Sequence, residues 1–212
     1  MNFYMKKPVI IIGAGGHARV LFDCLRLQGV NVLGMLDKEG TENGDTDLPI
    51  IGDDNAISEY PSDTVELVNG LGSVGNMNLR TGIFSKFKNL GYCFRNVIHP
   101  SAIIAHDCEL GEGVQVLAGA VINTGTKIAA DTIVNTGAIV DHECIVGSHV
   151  HIAPGCTLSG GIHIGDGTHI GTGAKIIQGI SIGNCALVAA GSVVVKNVPD
   201  RKKVMGVPAR IV

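Results

Sequence analysis

Tryptophan is absent from this chain, and its eight other aromatic residues all lie between Phe3 and Phe94, so the last 118 of the 212 residues have none. Charge is scarce as well, at 17% of residues with a net value of −3. Nucleic acid and anionic membranes call for clustered Lys and Arg, so neither is an expected partner. A bilayer span needs about 20 apolar residues in a row, and the longest aliphatic run near the start is Val9-Ile10-Ile11-Ile12. No apolar stretch followed by a small-residue cleavage site marks a signal peptide. Six cysteines include no Cys-x-x-Cys pair and read as reduced thiols of a cytoplasmic protein. Disorder is excluded by a hydrophobic content of 45%.

What the chain does have is a repeat. Stepping by six from Ile98 to Val194 meets Ile, Val or Leu at all seventeen positions, without an insertion. With aliphatics at about one residue in three, chance produces this roughly once in 10⁸. A second column, four residues after each, is mostly small, and Cys108, Cys144 and Cys156 fall in it as core fillers. A period of six suits neither a helix nor an alternating strand. It predicts a solenoid of short strands meeting at corners, three faces and 18 residues to the coil, with coils stacked about 4.8 Å apart. Glycines such as Gly111, Gly147, Gly165 and Gly171 are expected to permit the corners. The composition break predicts two domains, 1–97 and 98–212.

The first 97 residues alternate strand and helix: strands at 8–12, 30–36, 65–68 and 92–97, helices at 18–28 and 79–90. This predicts a small parallel α/β sheet. Between the first strand and helix, Gly13-Ala14-Gly15-Gly16-His17-Ala18 matches a phosphate-binding turn, whose glycines let backbone N–H groups approach a diphosphate. Asp37, ending the next strand, stands where an acid accepts hydrogen bonds from a ribose. Ninety-seven residues hold one mononucleotide half, which points to a nucleotide rather than NAD; a glycine turn without a ligand is the alternative. His17 is placed to reach a ligand phosphate or to face solvent.

Within the solenoid, Asp141-His142-Glu143 stands out against a nearly uncharged background. None of the three is in an inward column. A carboxylate beside an imidazole holds the ring and raises its basicity, as a base for acyl transfer requires. Gly160 follows one coil later in the same column, with an amide able to polarise a thioester oxygen. A solvated acidic corner is the alternative. His106 stands two coils before His142; a zinc site there would need a further ligand such as His149 or His151, which occupy other places in their repeats, and no tight Cys/His cluster is present. His99, His163 and His169 read as surface residues.

Taken together, Ile12-Gly-Ala-Gly-Gly-His17, Leu36-Asp-Lys38, the hexapeptide array with Val140-Asp-His-Glu-Cys144, and Gly206-Val-Pro-Ala-Arg210 make the chain similar to the PglD/NeuD family of bacterial sugar acetyltransferases. The resemblance implies a Rossmann-like N-terminal domain, a left-handed parallel β-helix, and a homotrimer with active sites between subunits. It implies His142 as general base, Glu143 as the acid supporting it, and Gly160 as the amide facing the thioester. Gly15, Gly16, His17, Asp37, Lys38, Gly70 and Asn135 would contact the nucleotide-sugar, and His151, Thr172 and Ala190 the acetyl-CoA. The loop after Gly70, with Gly72 and Gly75, is longer than the family's. Lys202, Lys203 and Arg210 are available to CoA phosphates or to solvent. The implied reaction moves acetyl from acetyl-CoA to the amino group of a UDP-4-amino-4,6-dideoxy sugar, with no covalent intermediate and no metal. An O-acetyltransferase of sialic acid or a related sugar is the alternative. A metal hydratase and a non-catalytic nucleotide-sugar scaffold are more distant ones.

Overall fold

A computed structural model describes residues 7–37, 48–73 and 77–212. Its N-terminal part is a parallel sheet in the order β3-β2-β1-β4, from β1 (Val9–Ile12), β2 (Val32–Leu36), β3 (Ile50–Gly52) and β4 (Glu66–Asn69). All four residues of β1 are buried, because helices cover both faces and each face needs its own aliphatic side chains. Val9 and Ile11 pack on α1 (Gly16–Leu27) through Ala18, Leu21 and Leu25. Ile10 and Ile12 pack on α2 (Asn78–Asn89) through Ile83, Phe84 and Phe87.

Two expectations need correction here. No strand covers 92–97: Phe94 makes a single bridge to Leu67, while Tyr92 turns inward and donates its hydroxyl to the carbonyls of Ile57 and Tyr60. β3 was not foreseen, since the three residues Ile50–Gly52 are too few to show a period.

From Val97 the chain winds into a left-handed parallel β-helix of triangular section. Seventeen two-residue strands recur every six residues, from β5 (Val97–Ile98) to β21 (Val193–Val194). The first fourteen each pair with the strand 18 residues on, as Ile133 with His151 and Val134 with Ile152. The second residue of each strand points inward. From Val116 onward these residues are buried, whereas Ile98, Ile104 and Leu110 of the first coil are only partly covered, having a neighbour on one side. At the other end an antiparallel pair, β22 (Lys203–Gly206) and β23 (Ala209–Ile211), closes the stack with Val204.

Corners explain the glycines, but not as expected. Every sixth residue from 113 to 191 has a positive φ, and ten of these fourteen are Gly; Asp131, Glu143, His149 and Cys185 are the exceptions. Gly111 and Gly171 do not need an unusual φ. A Cβ on either would fall within 2.7 Å of the backbone nitrogen of Ala130 or Ala190 in the next coil.

Outward residues distinguish the three faces. The first face (Val97, Gln115, Ile133, His151) is buried under the N-terminal domain, whose α1 core continues into Val97 and Leu117. The third (Glu109, Lys127, Ile145, His163, Ser181) is exposed and mostly polar. The second carries Ile103, Val121, Ile139, Thr157, Lys175 and Val193, with Ile103 66% exposed. Among the described residues no helix is long and apolar enough to cross a membrane.

Candidate functional site

The turn after β1 is held from two sides. Gly13, at φ +92°, donates its amide to Leu36, and Asp37 accepts the Ala14 amide at 2.8 Å. Helix α1 then begins with no side-chain cap and no acid in its first turn. Its N-terminal amides and dipole favour an anion. A Cβ added to Gly15 or Gly16 would touch nothing within 4 Å, so packing does not demand glycine there. Gly70 differs: a Cβ would lie 2.7 Å from both Ile11 and the Ile12 carbonyl, so glycine lets β4 pass close to β1.

Above this turn opens a cleft of about 650 Å³. Its lining joins Gly13–His17, Asp37 and Gly70–Ser73 to Leu117, Asn135, Thr136 and His151 of the solenoid. His17 and His151 both have their tautomers set by neighbours. Gln115 donates from its amide nitrogen to the Asn69 carbonyl, so its oxygen, 2.7 Å from His17 Nε2, accepts a hydrogen bond from the N–H of that ring nitrogen. Asn135 uses its oxygen to accept the Thr136 amide and its nitrogen to donate to His151 Nε2 at 3.0 Å. His151 Nδ1–H therefore faces Ser73, 2.8 Å from its hydroxyl. Burial lowers the pKa of His17 to about 4 and that of His151 to about 3, and both rings are neutral at pH 7.

One buried network fixes the loop that closes the cleft. Arg80, with no exposed side-chain surface, donates to the carbonyls of Asn69 and Leu71 at 3.0 and 2.7 Å and pairs with Asp131 at 2.7 Å. Asp131 also takes the His149 ring at 2.9 Å and the Asn69 amide at 3.1 Å. Thus the N-terminal domain is tied to the solenoid through the same residues that shape Gly70–Leu71. Sequence reasoning missed Arg80, Asp131, Gln115 and Ser73. One signal was available for Asp131, a non-glycine at a positive-φ corner, where such a residue costs about 1–2 kcal/mol and marks another purpose.

His142 stands elsewhere. Its Nδ1 lies 3.1 Å from Glu143 Oε2, its amide donates to Asp141, and Asn123 also donates to that aspartate. Those two donors lower the pKa of Asp141, the His142 amide most. The imidazole packs over Gly160, where any Cβ would collide with the ring. Among the described residues the Gly160 amide has no hydrogen-bond partner.

The expected site residues therefore fall into three places. Gly15, Gly16, His17, Asp37, Gly70 and Asn135 share the cleft. His151, expected with the acetyl-CoA contacts, lines that cleft too. Thr172 and Ala190 are exposed, one and two coils beyond Pro154 on the corner column that also holds Thr136. His142, Glu143 and Gly160 occupy the next corner, at most about 20 Å away given six residues at some 3.3 Å each. Lys38 and Gly75 lie outside the described residues. His169 is not a plain surface residue: its ring packs edge-on against His151 at 5.0 Å, and burial lowers its pKa. His106 is exposed, and among the described residues no three His, Cys, Asp or Glu side chains converge on a metal position.

Comparison with known proteins agrees along the whole chain. Residues 8–87 match the family described as the PglD N-terminal domain. PerB from Caulobacter crescentus, solved with CoA and GDP-perosamine, is 38% identical over 96% of each chain, with a TM-score of 0.89. The acetyltransferase domain of PglB from Neisseria gonorrhoeae, solved with acetyl coenzyme A, is 32% identical over 98% of this chain and 100% of that one, with a TM-score of 0.91. WeeI from Acinetobacter baumannii is 26% identical over 98% and 100% of the two chains, with a TM-score of 0.81. The search of curated proteins gave no match.

Proposed function

Since the chain belongs to the PglD/NeuD-type family of sugar acetyltransferases, we propose that it transfers acetyl from acetyl-CoA to the amino group of a nucleotide-linked 4-amino-4,6-dideoxy sugar. One observation carries this reading: a glycine-floored cleft and a carboxylate-held imidazole stand at the two corners that flank an uncovered apolar face. The nucleotide lies in the cleft, its diphosphate on the start of α1 and its sugar toward Asn135 and His151. UDP is the nucleotide that the family resemblance implies, and a GDP-sugar is bound by the Caulobacter relative.

Neither corner suffices alone. A second copy packed on the face bearing Ile103 and Ile139 brings its His142 corner to the first copy's cleft, and three copies close the arrangement as a homotrimer. Acetyl-CoA then runs along the groove between copies, past Thr172 and Ala190.

In the reaction the sugar amine attacks the thioester carbonyl. Glu143 fixes the Nδ1–H tautomer of His142, leaving the Nε2 lone pair to take the proton from the attacking nitrogen. The Gly160 amide donates to the carbonyl oxygen as negative charge develops there. Collapse breaks the C–S bond, and His142 returns the proton to the departing CoA sulfur. No covalent enzyme intermediate forms and no metal takes part. Six unpaired thiols suit the cytoplasm as its compartment.

His142→Ala is expected to lower kcat by about 10²–10⁴-fold, the range of general-base catalysis, with the melting temperature unchanged. Acetyl-CoA consumption with a panel of amino-sugar nucleotides measures it. Activity within tenfold of wild type, or full activity in a monomer by light scattering, overturns the proposal. Turnover of a sugar carrying only hydroxyl acceptors would favour the O-acetyltransferase.

A further inference from the structure

Gln115 is out of character for its place. It points outward on the face that the N-terminal domain covers, paired between Val97 and Ile133 of the neighbouring coils, and it is 1% exposed. A buried amide costs free energy unless both its ends are hydrogen-bonded, so packing alone favours an aliphatic residue there. The Asn69 carbonyl can only accept, and it also takes Arg80 at 3.0 Å, which fixes the Gln115 amide nitrogen on that side. The Gln115 oxygen is thereby turned to His17 Nε2, 2.7 Å away. With the ring proton on Nδ1 instead, two lone pairs would face each other across that distance. The ring therefore keeps the Nε2–H tautomer.

The consequence lies on the other side of the ring. His17 Nδ1 has no hydrogen-bond partner among the described residues and is not sealed from the cleft that the ring lines. Burial and the Arg80 charge hold the pKa at about 4, so at pH 7 this nitrogen carries a lone pair and no proton. Phosphate oxygens also carry lone pairs. The expected contact of His17 with a ligand phosphate is thus opposed by its own tautomer, and the diphosphate is left to the amides at the start of α1. Asn135 and His151, at the sugar end, are already bonded to each other, and His151 Nδ1 is engaged by Ser73. His17 Nδ1 is the ring nitrogen left for a donor on the sugar.

An attacking amine carries two hydrogens with different fates. One goes to the base as the C–N bond forms, and the other stays in the product amide. We infer that Gln115 is a positioning residue: by fixing the His17 proton on Nε2, it turns a bare Nδ1 toward the sugar, where that nitrogen accepts a hydrogen bond from the N–H that stays in the amide. His142 takes the other hydrogen. A hydroxyl has one hydrogen and cannot serve both rings, so the pair favours an amine acceptor.

The inference rests on the acetyltransferase reading above, and two kinds of measurement separate them. Proton–nitrogen correlation spectra of the full chain with isotopically labelled histidine distinguish a protonated ring nitrogen from a bare one, and His17→Gln assigns the signals. Wild type and Gln115→Glu, whose carboxyl still accepts from Nε2–H, are expected to show a bare Nδ1. Gln115→Leu should share the proton between both nitrogens. In turnover, Gln115→Leu should lower kcat/KM for the amino-sugar nucleotide by about tenfold, the worth of one hydrogen bond, with KM for acetyl-CoA unchanged, and Gln115→Glu should recover most of it. UDP and GDP, which carry the diphosphate without the sugar, should bind Gln115→Leu as tightly as wild type in titration calorimetry. A proton on Nδ1 in wild type overturns the inference and leaves the acetyltransferase reading standing, and that spectrum decides even if Gln115→Leu fails to fold. Equal losses in the Leu and Glu variants overturn it too, showing that the tie to Asn69 is structural. So does a tenfold weakening of UDP and GDP, which would put His17 on the phosphates. No transfer to any amino-sugar nucleotide overturns both readings.

Discussion

The two halves of the molecule bury their cores by different means. In the solenoid each inward aliphatic residue of the inner coils rests on its counterparts 18 residues before and after, and the same contact is repeated coil by coil. In the N-terminal half every core residue has its own surroundings, and a fully buried Arg80–Asp131 pair joins that half to the other. A repeat distributes stability along a line, so a local change is felt by adjacent coils. The non-repeating half concentrates it in a few groups whose loss has no substitute. The contrast also separates roles: the repeat supplies a straight frame, and polar departures from it such as Gln115 and Asp131 mark where the other domain attaches.

The sharpest challenge to this contrast is Arg80→Met. Removing one partner of a buried ion pair should cost about 3–5 kcal/mol, because the buried Asp131 keeps only the His149 ring and the Asn69 amide in place of its guanidinium partner. Urea unfolding should show the loss, and KM for the sugar nucleotide should rise because Asn69–Leu71 no longer has its clamp. A loss under 1 kcal/mol would place the domain junction elsewhere.

Acid probes the same junction. His17 and His151 have folded-state pKa values of about 4 and 3, below the 6.5 of an unfolded histidine. The unfolded chain therefore binds more protons between these limits. Their contribution is fully present above pH 6.5 and is lost as the pH falls toward 4. His17 alone accounts for about 3 kcal/mol at 1.36 kcal/mol per unit. Chemical denaturation from pH 7 to 4.5 should show a steeper decline in wild type than in His17→Gln.

Position along the stack sharpens the other side of the comparison. Leu158→Ala, in a fully buried column, should cost about 2–3 kcal/mol, and Leu110→Ala, at the partly covered first coil, about half as much. Equal losses would contradict a frame held by neighbours on both sides.

The smallest effect has the opposite sign. Cys185 is exposed and occupies a corner with φ +52°, so Cys185→Gly should stabilise by about 1 kcal/mol, read as a rise in melting temperature. Glu143→Gly should give a similar gain while reducing kcat, since the residue there holds His142.

Much of this arrangement was legible in the chain. Val116, Ile122 and their successors keep a strict six-residue interval, and Gly13 to Ala18 lead from a strand into the first turn of a helix. Cys144 and Cys156 were recognisable as core fillers from their column alone. Strand β3 was not, because three residues paired with Met35 and Leu36 carry no periodic signal. Nor was the pairing of His151 with Asn135 inside the cleft, since the repeat gives both only an outward direction. His169 looked like surface for the same reason: its column faces out, and only the docked domain makes that direction an interior.

The sequence by itself determined the solenoid, its three faces and the uncapped glycine turn, because each depends on contacts at a fixed short interval along the chain. The tertiary structure decided which face the N-terminal domain covers, and so which histidines become neutral and which stays at an open corner. That choice depends on how Arg80, Asn69 and Gln115 meet Asp131 and His17 across long separations. Such polar contacts form where two finished surfaces match, and no interval in the sequence records them.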